Sequence, residues 1–117
     1  MNIIVKQDKD VVPADLSSEE DIKGVDLFPL ITEADGAGNF SMRLFRLLPG
    51  GYTPFHVHPW EHEVFVVQGD GEVVGEEENR PLVPGTAVFV PAGIRHRFRA
   101  GEKGMDFLCC IPHTTKK

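Results

Sequence analysis

Four of the five histidines lie in two short segments, and their spacing is that of metal ligands. His56, His58 and His62 fall in the first segment and His96 in the second. Residues two apart on an extended strand point to the same face, so His56 and His58 present their imidazoles together and His62 shares their parity. Imidazole is the commonest protein ligand for first-row divalent metals. The pattern indicates a metal site, although a lone His-X-His pair is equally compatible with an ordinary surface.

Short β-type runs separated by turn residues surround these histidines. Turn-forming groups such as Pro49-Gly50-Gly51, Gly69-Asp70-Gly71 and Pro84-Gly85 bound the runs. Such spacing predicts an antiparallel sandwich or barrel, and no strand–helix–strand spacing for a parallel sheet is visible. We predict strands near residues 25–31, 40–48, 54–57, 62–68, 72–76, 80–83, 86–90, 95–100 and 105–111.

The length of the chain predicts a single domain, because 117 residues are enough for one barrel with a continuous core. We place the barrel at residues 25–113, after an N-terminal arm and loop at 1–24 and before a C-terminal tail at 114–117. The apolar triplet Ile3-Ile4-Val5 could form an additional strand within the arm. The remainder of the arm has no clear periodicity.

Composition excludes several classes of partner. The formal charge of −6 argues against nucleic acid, which is bound through Lys and Arg. No apolar run approaches the roughly 20 residues that span a bilayer, and the N-terminus is too charged for a secretory signal, so we expect a cytoplasmic protein without membrane contact. The only cysteines, Cys109 and Cys110, are adjacent and offer neither a disulfide framework nor a zinc spacing. Both are interpreted as small apolar core residues.

The first histidine segment carries a family resemblance. From Gly50 the chain reads Gly, five residues, His56, one, His58, three, His62, six, Gly69. This resembles the first cupin motif, G(X)5HXH(X)3,4E(X)6G, with His62 in the register of the glutamate. Gly69 also suits a turn that needs a positive φ.

The second segment resembles the second cupin motif, G(X)5PXG(X)2H(X)3N. From Gly85 the chain reads Gly, five residues, Pro91, one, Gly93, two, His96, and it departs only where Ala100 replaces the asparagine. Gly93 suits a turn with positive φ, and Pro91 a strand end that needs no donor. Two ordered motifs are a far more specific signal than either alone.

The resemblance implies a small single-domain cupin, an all-β protein with the cupin double-stranded β-helix, which is a jelly-roll-like antiparallel barrel. It implies one divalent metal ion held by His56, His58, His62 and His96. The family's usual set is three His and one Glu, but the run from His58 to Glu63 is similar to a bacterial subgroup with four histidines and manganese. Iron, nickel, copper or zinc are alternatives, and Glu63 is the competing fourth ligand.

Inward positions of such a barrel should line a pocket beside the metal. Strand parity with the histidines selects Val64, Val66 and Phe98, and the resemblance adds Phe107 and Cys109. We expect a small-molecule substrate and a metal-dependent enzyme, of dioxygenase-like or other chemistry; the alternative is a non-catalytic ligand-binding protein with a structural metal. No residue stands out as an acid, base or nucleophile. Small cupins commonly form homodimers, which we also expect here.

Overall fold

Six antiparallel strands form one strongly bent sheet in the computed structural model, which describes residues 2–113. Strand β6 lies between β2 and β3 in the order β1-β2-β6-β3-β4, and β5 pairs with β3. Every strand pairing is antiparallel. The all-β fold predicted from the sequence is therefore confirmed. The strands are β1 (Lys23–Ile31), β2 (Phe40–Tyr52), β3 (His62–Gly75), β4 (Asn79–Leu82), β5 (Ala87–Val90) and β6 (His96–Pro112).

Alternating burial along β3 defines the inside of the barrel. His62, Val64 and Val66 are buried, whereas Glu63 and Phe65 between them are exposed. This is the period of two that a strand with one solvated face requires. The inward residues join a core in which the largest fully buried side chains are Phe107, Leu82, Met105, Val66 and Cys109.

Strands β3 and β6 each run through glycines that the sequence led us to interpret as turns. The predicted strands 62–68 and 72–76 are one strand, and so are 95–100 and 105–111. Two register shifts between β3 and β6 flank Gly69. Gly69 has φ +85° and faces Gly104, which has φ +74°. The two strands bend together through these bulges without breaking their pairing.

Two other predicted strands are not formed in residues 2–113. Residues 54–57 make only an isolated bridge between His56 and His96. Pro54 lacks the N–H that a ladder needs. The triplet Ile3-Ile4-Val5 lies before the first strand, which begins at Lys23, and Ile3 is 92% exposed. Among the described residues the triplet takes part in no strand pairing.

Ion pairs tie the N-terminal arm to the connection between β1 and β2 and to β2 itself. Lys6 pairs with Asp35 at 2.7 Å, and Asp8 pairs with Arg46 at 3.2 Å. Farther along, the N–H of Ala14 donates to the carbonyl of Leu27 on β1 at 2.8 Å. These contacts bring the following loop to one end of the barrel. No helix in the described part of the chain is long and apolar enough to cross a membrane.

Candidate metal centre

Backbone hydrogen bonds bring the two histidine segments together. The N–H of His56 donates to the carbonyl of His96 at 3.1 Å, and the N–H of His96 donates back at 3.0 Å. The N–H of Gly93 donates to the carbonyl of His58 at 2.9 Å. Gly93 has the positive φ, +81°, that was expected from its place in the second motif. The tertiary convergence that the sequence required of His96 is therefore made by the backbone itself.

Three imidazoles form a group with ligand geometry. One nitrogen from each of His56, His58 and His96 lies within 4.8 Å of the other two. The ring centroids are 4.9 Å apart for His56 and His58, 5.4 Å for His56 and His96, and 5.3 Å for His58 and His96. Such a spacing allows three nitrogens to converge on one ion after small side-chain adjustments.

Hydrogen bonds to backbone carbonyls orient two of these rings. Nδ1 of His96 lies 2.8 Å from the carbonyl oxygen of Ile94, and Nδ1 of His58 lies 3.2 Å from that of Trp60. A carbonyl only accepts, so Nδ1 carries the proton in both rings and Nε2 keeps its lone pair. Nε2 of His58 is buried without a hydrogen-bond partner. A buried, unsatisfied acceptor is costly, and a metal ion would satisfy it.

The environment keeps these imidazoles in the neutral form that binds metals. Burial, reinforced by repulsion from neighbouring cations, lowers the pKa of His56 to about 4 and that of His62 to about 3. Burial also lowers the pKa of His58 and of His96. These shifts favour the uncharged form of all four rings at neutral pH, the form that binds metals.

His62 lies beside this group, but both of its nitrogens have other partners. Its ring stacks on that of His58 with centroids 4.2 Å apart. Its Nε2 accepts a hydrogen bond from the indole N–H of Trp60 at 3.2 Å, and its Nδ1 lies 3.5 Å from Sγ of Cys109. The competing ligand, Glu63, is exposed on the outer face of β3. The fourth histidine ligand stays a prediction, and strand parity favours it over Glu63.

The histidines open onto a cavity of about 260 Å³. Three of the predicted pocket residues, Phe98, Phe107 and Cys109, lie in its wall. Val64 and Val66 are 3% and 0% exposed in the hydrophobic core and are not among the lining residues. The wall is therefore largely apolar and aromatic beside the imidazole group, as in many small-molecule sites.

Arg43 is a cavity residue that sequence reasoning missed. It faces Cys109 in the pairing of β2 with β6, and its NH2 donates to Sγ of Cys109 at 3.2 Å. Its guanidinium carbon lies 5.0 Å from the ring centroid of Phe45, a cation–π distance. The available signal was its parity with Phe45 on an apolar strand, but the inward face of β2 is fixed only by its pairing.

The N-terminal loop supplies the rest of the cavity. Leu16, Glu19 and Ile22 are in its lining. Asp21 anchors this loop, because its carboxylate pairs with Arg97 at 2.5 Å and accepts from the N–H of Phe55 at 3.2 Å. These two contacts lower the pKa of Asp21. The segment with the least interpretable sequence therefore covers the site.

Comparisons with known proteins agree with this architecture. Residues 43–111 match the family model described as a cupin domain. The solved polyketide cyclase RemF from Streptomyces resistomycificus has TM-score 0.86 and 32% identity, covering 95% of this chain and 80% of that chain. A cupin 2 conserved barrel domain protein from Rhodopseudomonas palustris has TM-score 0.79 and 26% identity, covering 92% and 73%.

Two Streptomyces proteins also resemble this chain in amino-acid sequence. The chain is 38% identical over 79 residues to the polyketide synthase CurC of Streptomyces cyaneus, covering 66% of this chain and 51% of that protein. Protein SchB of Streptomyces halstedii is 34% identical over 79 residues, with 57% of its length covered. The chain thus spans about half the length of the curated relatives it matches. From its motifs, its barrel and its match to the family model, this chain belongs to the cupin family.

Proposed function

We propose that this protein is a divalent-metal-dependent enzyme that acts on a small polyketide-type carbonyl compound. The observation that carries the proposal is the group of three neutral imidazoles on a cavity, with Nε2 of His58 buried and unpartnered. The substrate class follows from likeness to a protein named polyketide cyclase and to another named polyketide synthase. Fold alone does not determine chemistry, so the site and the relatives are both needed.

Each part of the site has a distinct role in this proposal. His56, His58 and His96, with His62 as the predicted fourth ligand, would hold the ion. A divalent cation there supplies Lewis-acid polarisation of a carbonyl oxygen. The aromatic wall formed with Phe107 excludes water, and the cavity volume of about 260 Å³ selects a small substrate or one end of a longer chain.

The metal and the reaction type extend the proposal. We infer manganese from the subgroup resemblance, with iron, nickel, copper or zinc as alternatives. Copper and zinc are included because the general order of metal affinities favours them over manganese. Polyketide cyclisation forms a carbon–carbon bond between two parts of one chain, with loss of water and no oxidant. Dioxygenase-like chemistry is the second reaction type that we consider. It is supported by the four predicted imidazole ligands, which would leave two coordination positions of an octahedral ion open. Oxygen uptake during turnover separates the two.

Elemental analysis of purified protein, with a matched pair of variants, tests the metal site. We expect about one metal ion per chain in the wild type and a much smaller amount in His58→Ala. The control is His113→Ala, because His113 contacts Ser41 at 2.8 Å and is not in the imidazole group. A wild type that holds no metal after reconstitution, or a His58→Ala variant that retains it, contradicts the proposal. Incubation of the loaded protein with a linear poly-β-ketone thioester then tests turnover.

A non-catalytic ligand-binding protein is the second candidate. It is supported by the chemistry of Cys109, the one sulfur that the described residues place on the cavity wall: burial raises the pKa of its thiol, so the sulfur is protonated and a poor nucleophile. In that case the metal would be structural. Water relaxation on the manganese form tells the candidates apart, because an enzyme needs an exchangeable position at the ion and a saturated structural site has none.

We propose further that two chains form a homodimer. Its support is the apolar surface on the outer face of the sheet, where Phe65 is 48% and Phe89 59% exposed, together with the exposed Ile3 of the arm. Apolar patches of this kind are typical of protein interfaces. Light scattering tests the proposal, and a monomer mass refutes it. The cytoplasmic location expected from the N-terminal sequence also stays a proposal, for which fractionation of the native cell is the test.

A further inference from the structure

Arg43 is a cation on the cavity wall that has no anionic partner in the described part of the chain. None of the ion pairs among residues 2–113 includes it. Within the residues that the structure describes, its Nε–H is buried without an acceptor, and its NH2 donates to the sulfur of Cys109, a weak acceptor. Glu19, the carboxylate in the cavity lining, forms no ion pair with it.

Other strand arginines of this protein show how unusual that is. Arg46, three residues later on β2, contacts the carboxylates of Asp8 and Asp106, both at 3.2 Å. Arg97 pairs with Asp21, and Arg99 pairs with Glu72 at 3.1 Å. The Arg43 side chain is only partly buried, but its Nε–H is fully buried, and a buried donor without an acceptor is costly. The ring of Phe45 offsets only part of that cost. The missing partner of Arg43 is therefore expected to be a ligand.

We propose that Arg43 binds a carboxylate of the substrate. A guanidinium presents a planar set of N–H donors that can bind both oxygens of a carboxylate. The unpartnered Nε–H of Arg43 is one of these donors. Sγ of Cys109 lies 3.2 Å from NH2 of Arg43 and 3.5 Å from Nδ1 of His62, whose ring stacks on that of His58. Arg43 and the imidazole group line the same cavity, so one small molecule in it can contact both. This inference rests on the proposed function, since it specifies the substrate of the same site.

The test compares two ligands of nearly equal shape but different charge. Calorimetric titration with acetoacetate and with its neutral methyl ester is done on the metal-loaded and on the metal-free protein, because the metal itself also attracts a carboxylate. In Arg43→Met, which keeps the length of the chain but removes the charge, we expect acetoacetate to bind about tenfold more weakly or worse. The affinity for the ester should change by less than about twofold, because the neutral ester forms no ion pair with Arg43 that the substitution could remove.

Two further variants complete the experiment. Arg80→Met is the control, because the Arg80 side chain is 71% exposed and pairs with Glu78 on the β4 side of the barrel; it should bind both ligands like the wild type. Arg43→Lys keeps the charge without the planar donor set and should lose part of the acetoacetate affinity. Arg43→Lys also replaces Arg43→Met as the test variant if circular dichroism shows that Arg43→Met does not fold. In that case, acetoacetate affinity in Arg43→Lys equal to that of the wild type contradicts the proposal.

The outcomes separate this inference from the proposed function. The role of Arg43 is refuted if the wild type binds both ligands equally, or if Arg43→Met loses both to the same extent, which would indicate a structural role. If the wild type takes up no metal but the metal-free protein shows a preference for acetoacetate that depends on Arg43, the metal enzyme fails and the carboxylate site stands. If metal binding is normal and that preference is missing, the carboxylate site fails and the metal enzyme stands.

Discussion

Trp60 occupies the lone pair of His62 that a metal ion would need. Its indole N–H donates to Nε2 of His62 at 3.2 Å, while its ring stacks on that of His58 at 4.6 Å with planes 3° apart. If His62 is the fourth ligand, this hydrogen bond has to break when the ion binds. Trp60→Phe removes the donor and keeps an aromatic ring for the stack. We therefore predict that Trp60→Phe binds the metal more tightly than the wild type.

The size of this effect follows from the single hydrogen bond that is lost. A neutral hydrogen bond contributes about 1 kcal/mol net, and leaving the buried Nε2 of His62 without a partner in the metal-free variant adds up to about another 1 kcal/mol. Together these terms correspond to an affinity roughly 5- to 30-fold higher. Weaker packing of Phe against His58 would act in the opposite direction, so the lower end of this range is the safer expectation.

Competition titration against a chromogenic chelator measures the effect, with Trp60→Phe, His62→Ala and the double variant compared to the wild type. In the His62→Ala background the gain should disappear, because the hydrogen bond no longer exists there. Trp60 is the only tryptophan of the chain, so its fluorescence should also change when the wild type takes up metal. Unchanged or weaker affinity in Trp60→Phe, or a gain that persists without His62, would refute a ligand role for His62.

Two further predictions concern stability. In urea denaturation, Gly69→Ala should lower the free energy of unfolding by at least twice as much as Gly85→Ala. Both glycines have a positive φ, which costs an alanine about 1 kcal/mol. Only at Gly69 would the added Cβ also overlap a backbone, that of Gly104. Equal losses would contradict this. The metal-free protein should lose stability as the pH falls from about 6.5 towards 4, because unfolded histidines take up protons before folded His56 (pKa about 4) and His62 (about 3) do. A melting temperature that is flat over this range would show that burial does not depress these pKa values.

The strands of the barrel were largely predictable from local patterns, apart from the segment 54–57, whereas their continuity was not. The alternation of His62, Val64 and Val66 with exposed residues is visible in the sequence, and it identified the inner face of β3 correctly. The group Gly69-Asp70-Gly71 has the composition of a turn, yet it is a bulge within β3. The deciding contact is with Gly104 on the neighbouring strand, and no local signal indicates such a contact.

The candidate site was predictable to the extent that its residues lie in motifs. The spacing of the histidines and the two cupin motifs led to the imidazole group directly. Arg43 was not found because its partner, Cys109, lies 66 residues later in the chain, and only the pairing of β2 with β6 brings them together. The loop with Glu19 was missed for a similar reason, since it reaches the cavity through tertiary contacts such as the ion pair of Asp21.

The departure of His62 from the cupin motif and the unpaired Arg43 have one physical consequence in common. A neutral imidazole in place of a glutamate leaves a metal centre about one charge more positive. The neighbouring carboxylate, Glu63, is turned outward by strand parity and cannot compensate. Arg43 adds a further positive charge to the same cavity without a counterion among the described residues. Glu19 is the one carboxylate that the described residues place in the cavity lining, and it forms no ion pair with Arg43. A cavity in which the metal centre and Arg43 outweigh this single negative charge is suited to an anion, so the substrate is the best source of the counterion.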